Sequence, residues 1–502
     1  MPPDSLSTRI MWRSGVRDLA VVLLVSWLVR LVFVLLVGDA HSLDVDHWRE
    51  ALDARNAGRN PYETGWLNWP PLWLEVIVLL DQVATHTGVS FLFALRVYLV
   101  LVESAIVVTL YVTLVFAGAE RAAVRRALLV GIALNPVMVI LVCQHGNSDV
   151  NVGLFVTLAC AALIAYQRSR DVVAWLGACL LLGLGVLAKT TPLVLAPLLV
   201  PGARLANHAG RLLGTTLFLL PVSVGLGVLV ALDPGPIYAY VIKYQTAPGY
   251  FGFPGVLQQM TATTTASRSI VFAALAALAV ALWLWGRLRD PSPATISTLL
   301  AMVVLMLGAL ALVELLEAMS IGARTRYSEV FAVAVTAALL WLSVRLWAEA
   351  PLPPGTLFLL VAVIFMIVNS FGRGYAAHYA PWFLPALVAT YVLLDDGWRR
   401  LLLVAYAIAA VTYVVEYAFI SFLGSFASGT FNDALWVEDV GDWLNVPYRW
   451  ALLRLPLVVV YIVVIAAGIA RLRELTRRNS GGSDARRSPR AASRAGTSTT
   501  QA

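Results

Sequence analysis

The sequence predicts an all-α, polytopic transmembrane bundle of about 13–14 spans with an amphipathic helix in its first outer loop. Composition is the first reason. Of 502 residues, 60% are hydrophobic and 13% charged, with a mean hydropathy of +0.80. Soluble domains are roughly 45–50% apolar and about 25% charged, so no soluble core could hide this much apolar surface behind so few charges. The second reason is spacing: stretches of about 20 apolar residues recur along the chain, each able to cross a roughly 30 Å hydrocarbon core. The third is charge asymmetry. Arginine collects in clusters between these stretches, and cytoplasmic loops carry that excess.

The elements follow in order. Arg9, Arg13 and Arg17 precede or open the first apolar run, 16–37, and place the N-terminus inside. That run is too long for a signal-peptide core and no clean cleavage site follows it, so an uncleaved anchor is expected. Segment 70–85 is apolar but short and carries Glu75 and Asp81. If it crossed, Arg121, Arg125 and Arg126 would fall outside, so it is expected to be partly embedded at the outer face. Spans follow at 91–117, 127–143, 150–166 and 172–188, with Arg168 and Arg170 inside. The 191–200 piece is too short to span comfortably, and Lys189-Thr-Thr-Pro192 before it predicts a broken or re-entrant pair. Further spans are expected at 212–232, 268–286, 295–313, 328–347, 356–371, 379–394, 401–423 and 449–470. Arg204/Arg211, Arg287/Arg289 and Arg399/Arg400 then all lie inside, as do both termini.

Two units result: a membrane domain over 1–470 and a tail over 471–502. The tail holds eight arginines against Glu474 and Asp484, so it supplies +6 of the formal net charge of +7. Rich in Ser, Gly, Ala and Arg with no apolar period, it is expected to be disordered and cytoplasmic. The basic balance therefore points to retention and anionic lipid, not to nucleic acid. Cys143, Cys160 and Cys179 all sit inside apolar segments, which indicates neither a disulfide nor a zinc site.

The outer side holds the unusual chemistry. In the first loop, Asp44 stands where a helix N-cap belongs; Trp48, Ala51, Leu52 and Arg55 follow at helical spacing, and Gly58 ends the element. Trp48, Trp66, Trp69 and Trp73 are expected as an interfacial belt. Asp44 and Asp46 form a D-x-D pair, but residues two apart on a helix point roughly 200° apart. Convergence on a cation would need a loop, and the alternative is one carboxylate acting as general base. A third reading leaves Asp44 as a cap and Asp46 as a solvated charge. The turn Gln144-His-Gly-Asn-Ser-Asp149 follows Asn135-Pro136. Its polar side chains between two apolar helices line a wet cavity, bind a ligand or reach the interface. Gln144, His145, Asn147 and Asp149 can donate and accept in several directions, which suits sugar hydroxyls.

Only two of the 36 basic residues are lysine, Lys189 and Lys243. Both fall on or near the outer side, with Arg268, Arg324, Arg326, Arg373 and His378. Outer cations run against the inside rule, so together they suggest an anionic ligand such as a phosphate; individually each could be a snorkelling side chain. Glu314 and Glu317, three apart on one helix face, could neutralise Arg324 and Arg326. The preference for arginine points to a GC-rich genome and a bacterial inner membrane.

These pieces together resemble the GT-C superfamily of lipid-linked-sugar glycosyltransferases, and within it the bacterial mannosyltransferase-like branch. The matching pieces are Asp44 four residues before Trp48, Gly58-x-Asn60-Pro61-Tyr62, Trp69-Pro70-Pro71-Leu72, and Asn135-Pro136 with the 144–149 turn. Leu187-Ala-Lys-Thr-Thr-Pro192 and Arg373 through His378-Tyr-x-Pro-Trp-Phe-Leu-Pro385 complete them, so the resemblance covers residues 40–390. Trp48 departs from it, since members often carry Tyr there. The resemblance implies a polyprenyl-phosphate sugar donor entering from the outer leaflet and a hydroxyl of a lipid or cell-envelope glycan as acceptor. It further implies inversion at the anomeric carbon, no metal or other cofactor, and a first-loop aspartate as base. On that basis Asp44 is the catalytic residue, with Asp46 as the reserve. Lys189, Lys243, Arg373 and His378 are candidates for the donor phosphate, and His145, Asn147 and Asp149 for sugar or acceptor. The competing classes are a transporter or lipid flippase, for which broken helices and intramembrane charge would serve, and a ligase using lipid pyrophosphate donors.

Overall fold

A computed structural model describes residues 5–39, 41–199, 207–237, 240–241, 352–371, 377–419, 454, 456–472 and 474. The expected spans 268–286, 295–313 and 328–347 lie outside the described residues, as does the tail beyond 474. Among the described residues the secondary structure is entirely helical. Four helices are long and apolar enough to cross a membrane: α1 (Ser5–Val37, apolar from Ser14), α4 (Phe91–Phe116), α7 (Val150–Ser169) and α12 (Asp396–Phe419, apolar over Gly397–Val415). A fifth span is a bent pair, Arg121–Ala133 and Pro136–His145, meeting at 46°. It comprises α5 (Arg121–Leu128) and α6 (Pro136–Ile140), each extended by a π-helical turn. Shorter apolar helices are α8 (Val172–Ala188), α10 (Pro354–Phe371), α11 (Leu384–Leu393) and α13 (Pro456–Leu472). Alongside them run α9 (His208–Leu232), the surface helix α2 (Leu43–Asn56) and α3 (Pro71–Thr87). The chain is a polytopic helical membrane protein.

The helix break at Asn135-Pro136 has a local cause. Pro136 cannot donate into the preceding turn, and the Asn135 side chain caps both halves. Its amide oxygen accepts from the Val137 N–H at 2.9 Å, and its amide nitrogen donates to the Gly131 carbonyl at 2.9 Å. Carbonyls freed at Ile132 and Ala133 accept from Arg30, which reaches across from α1 and is itself paired with Glu103 of α4 (Nε–Oε2 2.9 Å). Both charged side chains are almost completely buried. An ion pair inside a membrane span is tolerable because each partner is matched and the guanidinium also satisfies backbone oxygens.

Around this frame α8 packs along α7 and α9, α4 along α7, and α10 along α11. Chain direction separates two ends. Arg125 pairs with Asp18 at 2.7 Å, Arg168 donates to the Phe116 carbonyl, and Arg471 pairs with Asp395 at 3.1 Å, all at one end. The opposite end gathers α2, the 144–149 turn, Lys189 and residues 377–382. Segment α3 begins and ends at that second end: Trp73 lies 6.4 Å from Tyr98 in the first turns of α4, where α3 also leads. At 17 residues it is not among the helices long and apolar enough to cross.

Three expectations change. The N-cap of α2 is Ser42, with Asp44 the second residue of the helix, in its first turn. Trp48, Trp69 and Trp73 form no interfacial belt but a buried cluster, ring centroids 5.5 and 4.8 Å from Trp48; only Trp66 of the four is exposed. The break expected at Lys189–Pro192 is present, but residues 191–199 are not α-helical. They form a 3-10 helix that runs back along α8 until the Leu199 carbonyl accepts from the Trp175 indole at 3.2 Å. A 3-10 helix rises about 2.0 Å per residue, so this short piece covers roughly two thirds of the height of α8.

Candidate active site

Helix α2 is fixed by its apolar face, where Val45, Trp48, Ala51 and Leu52 are buried. Ser42 does not cap it with its side chain; its hydroxyl donates instead to the His145 carbonyl at 2.7 Å, tying the helix start to the polar turn. Asp44 and Asp46 then diverge as helix geometry requires. Asp46 turns to His41, 2.8 Å away, and is 47% exposed. Asp44 turns inward, with Oδ2 3.4 Å from His145 Nε2. Burial pushes the Asp44 carboxyl up, but the contact with His145 and the positive charge that Lys189 and, at acid pH, the two imidazoles place beside it outweigh burial, and its pKa falls to about 2. The carboxylate is thus held ionised in the first turn of a helix, where the backbone also favours negative charge.

The turn itself is inside the protein. His145, Asn147, Ser148 and Asp149 are all buried. Gly146 makes the turn possible: its φ is +70°, and a Cβ there would also crowd Val45 and Leu95. Asn147 accepts from the Asp149 N–H at 2.6 Å and donates to the His378 carbonyl at 3.3 Å. The His145 and His378 rings lie 5.1 Å apart. Burial, with the charges of His145 and Lys189 adding to it, pushes His378 well below 6.5, so it is neutral at physiological pH.

Lys189 enters at the break after α8. Its Nζ sits 2.6 Å from Asp149 Oδ1, which also accepts from the Trp382 indole at 3.0 Å. Burial pushes the Asp149 carboxyl up, an effect that Lys189 and the indole offset in part. The ammonium stands over Tyr379 at 4.3 Å, Trp382 at 5.1 Å and Trp69 at 5.9 Å. Such faces hold a cation that is largely removed from water. Residues 377–382 reach this position because Gly153 of α7 lets the Pro381 carbonyl approach; a Cβ there would lie 2.5 Å from it.

Sequence elements far apart thus meet at one end of the bundle: Asp44, His145, Asn147, Asp149, Lys189 and His378. Lys243 and Arg373 lie outside the described residues, as do Arg268, Glu314, Glu317, Arg324 and Arg326. Among the described residues no group of three or more His, Cys, Asp or Glu converges as a metal ion would require. The structure adds Ser42, Trp69, Tyr379 and Trp382. The last three lay within the Trp-Pro-Pro and His-Tyr-x-Pro-Trp strings, where an aromatic box for a lone lysine is visible only once residue 189 is placed among them. Asp149, expected against sugar or acceptor, gives one oxygen to Lys189.

The sequence matches no protein-family profile and no curated protein. Among solved structures the chain is similar to ArnT from Cupriavidus metallidurans bound to undecaprenyl phosphate. The identity is 14% and the TM-score 0.42, over 93% of this chain and 79% of that one.

Proposed function

We propose that the chain is a membrane glycosyltransferase that moves a sugar from a polyprenyl-phosphate donor to a hydroxyl of a lipid or cell-envelope glycan, on the extracytoplasmic side of a bacterial inner membrane. The observation that carries this reading is that an ionised carboxylate and a caged cation stand near enough at one end of the bundle for Lys189 to lower the Asp44 pKa. Asp44 is the base and Lys189 the cation. The acceptor O–H gives its proton to Asp44 while its oxygen attacks the anomeric carbon. The bond from that carbon to the phosphate oxygen breaks with its electron pair, and the polyprenyl phosphate leaves. Attack opposite the leaving group inverts the centre.

Each surrounding residue has work in this scheme. Lys189 keeps ammonium donors beyond the one used by Asp149 and stabilises charge on the leaving phosphate. Lys243 and Arg373 are assigned the same partner from the sequence alone. Neutral His378 offers a ring N–H but no charge. His145 orients the Asp44 carboxylate, and Asn147 holds the turn against residues 377–382. Asp46, paired with His41, stays in reserve.

Purified full-length protein, incubated with a panel of polyprenyl-phosphate sugars and extracted acceptor lipids, tests the reading. The expected result is donor-dependent transfer that persists with a chelator present. No turnover of any donor, together with flux of a lipid-linked substrate in proteoliposomes, would move the assignment to transport.

A further inference from the structure

The α5–α6 pair, bent by 46°, faces α11 and α12, and the space between them runs from the arginine-bearing end towards Ala380 and Phe383 beside the candidate active site. A cavity of about 600 Å³ lies there, within the size range of ligand sites. Its walls are almost wholly apolar, formed by side chains such as Leu134, Leu387, Val388 and Leu403. Two arginines line it as well, Arg126 in the last turn of α5 and Arg399 in the first turn of α12. Chain direction puts both at the arginine-rich end, which charge asymmetry assigns to the cytoplasm. Arg399 also holds the end of α11, donating to the Tyr391 carbonyl at 3.1 Å and the Val392 carbonyl at 3.4 Å.

An apolar slot closed at its cytoplasmic end by two cations has the charge pattern of an acyl chain carrying an anionic head. We infer that this cavity is a binding site for an anionic phospholipid of the cytoplasmic leaflet, with an acyl chain between α5, α11 and α12 and its phosphate at Arg126 and Arg399. Basic pockets between helices on the cytoplasmic face suit such headgroups. The donor lipid is a poorer occupant of the arginine-bearing end, because the phosphate position proposed for it is at Lys189, whose cage of Tyr379 and Trp382 adjoins the other end of the cavity at Ala380 and Phe383. The site needs no catalytic turnover, so its test is separate from that of the proposed reaction.

The test is lipid retention by full-length protein reconstituted with equal phosphatidylglycerol and phosphatidylcholine, re-extracted in mild detergent and read by native mass spectrometry. Phosphatidylglycerol is expected to stay bound in preference to phosphatidylcholine. Arg126→Gln, at an exposed position, should weaken retention about fivefold. Leu387→Trp should abolish it by filling the slot. Arg399 is left intact because it caps α11. Equal retention of the two lipids, retention unchanged in both variants, or a polyprenyl phosphate held in place of the phospholipid would overturn the inference.

Discussion

A carboxylate with a pKa near 2 is a weak base in water, yet this one is placed where its proton affinity matters only as the acceptor is deprotonated. Because Asp44 is ionised down to such low pH, the rate should show no limb from it above about pH 4. A kcat/KM profile with a carboxylate limb between about pH 5 and 6 would contradict this assignment. His378 works in the other direction. Its folded pKa is lowered, so below about 6.5 the unfolded chain binds more protons than the folded one, and stability falls as pH drops from there. Thermal unfolding across pH 5 to 8 should show that loss, and His378→Gln should flatten it. The Asp149–Lys189 pair gives a third expectation at this scale. Lys189→Met strands a buried carboxylate and should cost about 3–5 kcal/mol, whereas pairing it with Asp149→Leu should recover most of that stability. Transfer should be lost in both variants, which separates the fold from the chemistry.

Helix ends set where these side chains stand. Gly153→Ala would force α7 and the Pro381 carbonyl apart, since the new Cβ starts 2.5 Å from that oxygen. The expected cost is about 1–3 kcal/mol, with a fall in kcat/KM because His378, Tyr379 and Trp382 ride on the displaced segment; an unchanged kcat/KM would show that the close approach is not needed. The spans around these elements were legible because apolar length and arginine clusters are local properties of the chain. Helices α4 and α8 begin where the sequence places them. What could not be read locally was pairing. Arg30 and Glu103 each look like an isolated charge in an apolar run, and 73 residues separate them. The three buried tryptophans follow the same composition as an interfacial belt, and only tertiary packing tells the two apart. The 3-10 course of 191–199 was missed because span length was judged at α-helical rise, and a 3-10 helix covers more height per residue.

Across the whole molecule the two ends have opposite chemistry. One carries the arginine-bearing turns, the other the carboxylate, the histidines and the caged lysine. Single-cysteine reporters should register this: Glu50→Cys on exposed α2 should label from outside intact cells, and Arg126→Cys only after permeabilisation. The candidate site was legible as a set of motifs sharing one face of the membrane, and six of its residues do meet in space. The sequence could not reveal that Asp149 serves Lys189, because that contact crosses a helix break whose direction depends on the packing of α7, α8 and residues 377–382. Asp44 as the general base is the central claim. Single-turnover transfer from a polyprenyl-phosphate sugar should drop by roughly 10²–10⁴ in Asp44→Asn while donor binding is unchanged. Wild-type turnover by that variant would contradict it.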